Sequence, residues 1–148
     1  MKKLLIVAFL AIICSACTDY AVSTDIEYKN NSSYDIQFLT MSTYINSDNN
    51  NVYFVEEPIV TLSKGSTYTF SASDMGTKKG YLSFYFAQIH NAIHYIQIGD
   101  KVKVAYSGRY SDENNYELIS EKERYRKYTY TFTDADYQFA LENGTLLE

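Results

Sequence analysis

The two imidazoles of this 148-residue chain, His90 and His94, stand four residues apart. On a helix that spacing would turn both rings to one side and offer two ligands to a metal ion. On a strand the same residues share a face about 13 Å apart, too far to hold one ion. The zinc-protease pattern needs Glu after the first His, and Asn91 stands there. With no third ligand nearby, two polar positions close to a sheet edge explain the pair as well, and the expectation is no metal and no cofactor. Carboxylate pairs occur at Glu56 and Glu57, Asp112 and Glu113, and Asp134 and Asp136. Adjacent strand residues point to opposite faces, so Glu56 and Glu57 make a poor acid and base, while Asp134 and Asp136 suit the first turn of a helix. The sequence contains no Gly-x-Ser-x-Gly elbow, phosphate loop, dinucleotide-binding glycine pattern or calcium loop.

Tyrosine is the compositional oddity, with 16 copies and no tryptophan. Tyr offers large contact area with a polar tip, which suits recognition surfaces, and it is equally at home in strands. Most of these residues alternate with polar neighbours, as core positions do. Tyr106, Tyr110 and Tyr116, around the polar stretch 107–115, are the candidates for exposed ligand contacts. Lys122, Arg124, Arg126 and Lys127 form a basic cluster interleaved with acids and Tyr125. It reads as a charged strand entrance that resists edge pairing, with a small anion or acidic glycan as the functional alternative.

The elements that must position these groups have a period of mostly two. Tyr34, Ile36 and Phe38 fall on one face while Asp35 and Gln37 fall on the other, and the preceding Asn-Asn-Ser-Ser cluster suggests a hairpin with the strand around Tyr28. Residues 51–55 and 59–62 read as short strands around Pro58, and 63–66 as a turn into 67–71. Residues 81–87 are apolar on both faces, which places Phe84 in a central strand. Gly99 and Asp100 suggest a two-residue hairpin loop joining 93–98 to 101–106. Further strands follow at 116–119 and 124–132. Only the end looks helical: Thr133 can cap it, Tyr137, Ala140 and Leu141 share a face, and Asn143-Gly144 stops it. Short strands at this spacing predict an all-β, antiparallel sandwich, immunoglobulin-like, with a short C-terminal helix; a barrel is the runner-up.

The chain begins with two lysines, an apolar stretch over 4–13 and the small residues Ser15 and Ala16 before Cys17. That is the layout of a secretory signal peptide over 1–16, too short for a permanent span of about 20 residues. Cys17 resembles a bacterial lipoprotein processing site, with Cys14 standing where an aliphatic residue is usual. Lipidation of Cys17 would leave 17–23 as acylated cysteine and tether, and 24–148 as one domain. The processed chain then keeps no free thiol, so packing alone must hold it. Losing Lys2 and Lys3 leaves 11 basic residues against 18 acidic, a net charge of −7. Such a domain has no general attraction for nucleic acid or for anionic headgroups.

The lipobox, the segment 26–36, the Leu62-Ser63-Lys64-Gly65 turn and the closing run 128–137 resemble the small uncharacterised lipoproteins of Bacteroidota-type bacteria. The resemblance implies a β-sandwich held in the envelope. Thr18 after Cys17 implies the outer membrane, and the side faced stays open. No catalytic residue transfers with it. The sequence reading is therefore a lipid-anchored, non-catalytic binding or assembly module for a protein or glycan, its oligomeric state open. A small envelope hydrolase or inhibitor is the alternative.

Overall fold

A computed structural model describes residues 20–45, 52–76 and 92–148. The leader with Cys17, the stretch 81–87 with Phe84, and His90 lie outside the described residues. Nine strands and one helix are seen among those described: β1 (Tyr20–Asn30), β2 (Ile36–Ile45), β3 (Val52–Leu62), β4 (Thr67–Gly76), β5 (Tyr95–Ile98), β6 (Val102–Ala105), β7 (Glu117–Lys122), β8 (Tyr125–Phe132), α1 (Asp134–Asn143) and β9 (Thr145–Leu146). They form two sheets, ordered β4-β1-β8-β7 and β3-β2-β5-β6-β9. The fold is the expected all-β sandwich with a short C-terminal helix. One pairing is parallel: β1 and β8 run together from Ser23↔Tyr125 to Asn30↔Phe132. No helix of the described residues is long and apolar enough to cross a membrane.

Alternation builds the core. Thr24, Ile26, Tyr28 and Asn30 of β1 are buried, while Asp25, Glu27 and Lys29 between them face outward and are half-buried. Ile36, Phe38, Ile96, Ile98, Val102 and Val104 supply the facing layer. Tyr28 lies at the centre, its ring 4.7 Å from Phe38 and 5.8 Å from Phe70.

Three local expectations are corrected. β1 and β2 do not form a hairpin; they belong to different sheets, and residues 31–35 are a corner between them. The buried Asn30 side chain is the reason. Its Nδ2 donates to the carbonyls of Tyr34 and Leu62, both at 2.8 Å, and its Oδ1 accepts from the Ser32 amide and hydroxyl. The Asn30 backbone also bonds Gly65 and Ser66, so the β3–β4 turn is laced to the same corner. The two short strands around Pro58 are one, β3, with an irregular register opposite Phe38 and Leu39 that accommodates the missing N–H. The Gly99 loop holds three residues rather than two, since Ile98 pairs with Val102. Gly99 has φ +63°, and a Cβ there would press on the Tyr34 ring at 3.3 Å.

Helix α1 starts as its residues predict. The Asp136 carboxylate accepts from the Thr133 backbone N–H at 2.8 Å and from its hydroxyl at 3.3 Å. Gly144 closes the helix with a bond to the Ala140 carbonyl, and a side chain there would collide with Lys103 of β6.

Candidate functional site

The tyrosines expected at the surface are inside. Tyr106, Tyr110 and Tyr116 are all buried, which corrects their reading as exposed ligand contacts. The physical reason is parity and closure. Tyr106 continues the inward series of Val102 and Val104, and the polar loop folds back so that Tyr110 and Tyr116 cap the core beside Tyr28, Tyr130 and Phe132. The hydroxyls of Tyr28, Tyr106 and Tyr116 lie within hydrogen-bond distance of one another, at 3.1 Å from Tyr116 to each of the other two; Tyr116 donates to the Tyr110 carbonyl, so the protons of Tyr28 and Tyr106 serve the contacts within the trio. Burial pushes Tyr28 up to about 12 and raises Tyr106 and Tyr116 as well, so these groups stay neutral. The Tyr110 hydroxyl is buried without a hydrogen-bond partner among the described residues.

A second polar group joins this cluster to α1. The buried Asp136 accepts from Tyr130 at 2.6 Å and faces Arg109 Nε at 3.3 Å, while the Arg109 guanidinium lies over the Phe139 ring. Its carboxylate therefore serves the helix start, Tyr130 and Arg109 at once, which is a structural occupation rather than a catalytic one. Its partner in the sequence pair, Asp134, accepts from the Ser33 amide at 2.6 Å and clasps the β1–β2 corner to α1. Tyr34 and Tyr137 stack over the same clasp at 3.9 Å.

The other sequence candidates separate. Glu56 pairs with Lys103 at 2.6 Å, whereas Glu57 accepts from Ser42 at 2.9 Å, so the two carboxylates turn to different partners. Asp112 caps the 3-10 turn Glu113–Asn115 through the Asn114 amide, and Glu113 accepts from Tyr128. His94 is exposed, and its Nδ1 accepts from the Met41 amide at 3.4 Å. Among the described residues no group of three His, Cys, Asp or Glu side chains could hold a metal. In the basic cluster, Arg126 bonds Glu121 at 2.6 Å and Lys127 bonds Glu27 at 2.9 Å, so surface ion pairs account for both.

The structure brings together a set that the sequence kept apart. Ser33, Tyr34, Asp35 and Gln37 from the β1–β2 corner meet Gln97, Gly99 and Asp100 from the β5–β6 turn around an open cleft of about 460 Å³. The two turns are tied by the Gly99 amide donating to the Asp35 carbonyl at 2.8 Å, and Gln37 pairs directly across from Gln97. Gln97 Nε2 donates to the Gly99 carbonyl at 3.0 Å, which holds its amide in one orientation. The lining thus includes two carboxylates on bonded turns, Asp35 and Asp100, and two amides on the strand ends beside them, Gln37 and Gln97. The alternation around Phe38 already placed Asp35 and Gln37 off the core face; the Gln37↔Gln97 register, which completes the cleft, carried no local signal. No family model, characterised protein or solved structure matches the chain.

Proposed function

We propose that this is a lipid-anchored bacterial envelope protein, attached through Cys17 to the outer membrane, whose sandwich acts as a non-catalytic binding or assembly module for a protein or glycan at the corner cleft. One observation carries the reading: the cleft gathers Asp35 and Asp100 of two bonded turns with Gln37 and Gln97 of the strand ends beside them, while the tyrosine cluster and Asp136 are engaged in holding the fold. Carboxylates accept and amides both donate and accept, which is the set that hydroxyl-rich or backbone-like ligands require. A shallow open cleft of this kind orients a ligand without excluding water from a reacting bond.

The test is a glycan array together with peptide and protein binding assays on soluble residues 18–148, repeated with Gln97→Ala and Asp35→Asn. A ligand retained by the parent and lost by both variants, at unchanged thermal stability, supports the reading. Retention by both variants moves the site elsewhere, and turnover of the ligand would replace the binding module with an enzyme.

A further inference from the structure

Strand β5 pairs with β2 only over residues 36–39, while β2 and β3 remain paired with each other out to Ile45↔Val52. The outer part of that hairpin, residues 40–45 with 52–57, has no third strand among the described residues. The apolar side chains described there are exposed on both faces. Phe54 is 69% exposed and Val52 53%, on the same face as Met41, and Val55 is 41% exposed on the other. Exposed clusters of this kind mark a surface that meets another apolar phase.

The direction of this arm follows from the corner. β1 runs toward Asn30 and β2 runs back from it: Asn30 reaches the Leu62 carbonyl beside Ile36, and two residues further along each strand Tyr28 packs on Phe38. The first residue of β1, Tyr20, and the arm's far end at Ile45 and Val52 therefore lie at the same end of the sandwich. Cys17 precedes Tyr20 by three residues, a reach of about 11 Å at most. The paired arm extends about 20 Å past the last β5 contact.

We propose that this arm is a membrane seat, with Val52 and Phe54 near its far end entering the surface layer of the bilayer that holds the acylated Cys17. The proposal rests on the lipidation of Cys17 stated above. A tether this short keeps the Tyr20 end against the bilayer, and among the described residues the arm carries exposed apolar side chains at that end. In neutral lipid the arm's contact is apolar and indifferent to salt; the β7–β8 turn, with Lys122 and Arg124 beside Ser23 of β1, stands at the same end of the sandwich.

The chain has no tryptophan, so one introduced indole reports alone. Phe54→Trp and Val52→Trp, both at exposed positions, and Tyr68→Trp, near the corner end, are each made in the full acylated chain. Each is reconstituted into phosphatidylcholine vesicles with and without brominated acyl chains. Both arm indoles should shift to the blue and lose most of their emission to bromine, unchanged by added salt, while the Tyr68→Trp signal stays as in water. If the acylated variants float with the vesicles and the arm indoles remain unquenched, the seat is overturned and the lipid anchor stands. If mass spectrometry finds no acyl group on Cys17 and the chain does not float, the anchor fails and takes the seat with it. A blue shift that grows with concentration in the lipid-free Cys17→Ser chain assigns the arm to a second copy and overturns the seat.

Discussion

Tyr110 and Tyr116 carry the same hydroxyl into the same cluster, yet replacing each with Phe should move stability in opposite directions. The Tyr110 hydroxyl is buried with no partner at hydrogen-bond distance among the described residues, the neighbouring Asp136 carboxylate being taken up by Tyr130, Thr133 and Arg109, and such an unsatisfied group costs about 1–3 kcal/mol. Tyr110→Phe removes that cost and keeps the ring against Tyr130, Phe132 and Phe139. A gain of about 1 kcal/mol is expected, at the low end of that range because deleting the oxygen leaves a small void. Tyr116→Phe instead takes the donor from the Tyr110 carbonyl and an acceptor from Tyr28 and Tyr106, which are left with each other as partners and two protons for one bond. That change should lose about 1–3 kcal/mol. Tyr110→Ala, which removes the whole ring, should lose about 3–5 kcal/mol. For a domain of this size 1 kcal/mol is roughly 3–5 °C in Tm. Urea denaturation of soluble residues 18–148, followed by circular dichroism at constant slope, separates the three variants. Equal destabilisation by Tyr110→Phe and Tyr116→Phe would mean that the Tyr110 hydroxyl is bonded after all, and the reasoning fails.

Alkali should unfold the domain through its buried tyrosines. Tyr28 and Tyr128 are raised to about 12 from 10.0, so the stability they contribute is fully present below pH 10 and is lost as pH climbs through about 12; a tyrosinate absorbance titration that finishes in one wave near pH 10 with the fold intact would contradict this. Asp136→Asn removes a charged acceptor from the α1 start, Tyr130 and Arg109, and should cost about 2–3 kcal/mol by denaturation. Cys17→Ser should release the protein from membranes without lowering its Tm; a variant that still sediments with membranes and resists washing would end the lipid-anchor reading.

What was legible in the sequence was what depends on neighbours a few residues apart. Alternation along β1 and around Phe38 marked the inner faces, and Thr133 with Asp136 marked the start of α1, because period and capping are local. The inward series Val102, Val104 and Tyr106 was equally visible, but the polar stretch that follows drew Tyr106 outward in the reading. Polarity there describes residues 107–115, not the rings on either side of it. Tyr110 was out of reach, since its burial depends on Phe139 of α1 and Tyr130 of β8 returning to cover it. The Asn-Asn-Ser-Ser cluster announced a turn correctly. Whether a turn joins paired strands or two sheets depends on where the Asn30 side chain goes, and its bond to Leu62 spans 32 residues. The cleft was hidden for the same reason, being made by the Gln37↔Gln97 register.

The corner that defeated the hairpin reading also sets the polarity of the domain. Asn30 gathers the β1–β2 and β3–β4 connections at one end; the Asp35–Gly99 bond adds the β5–β6 turn, and Asp134 adds the start of α1. Every residue of the cleft lies on these connections or on the strand ends beside them. At the opposite end are the first residue of β1 and the far end of the β2–β3 arm. A chain held by Cys17 would thus present its cleft away from the bilayer, with the whole length of the sandwich between ligand and lipid. That arrangement separates the two roles energetically: contacts made by the arm need not disturb Asp35, Gln37 or Gln97, because the strands between them are fixed by the buried Tyr28 and Phe38 layer. Substitutions at Phe54 should accordingly leave ligand affinity unchanged, and substitutions at Gln97 should leave lipid contact unchanged; a marked effect of either on the other's assay would show that the two ends are coupled through the core.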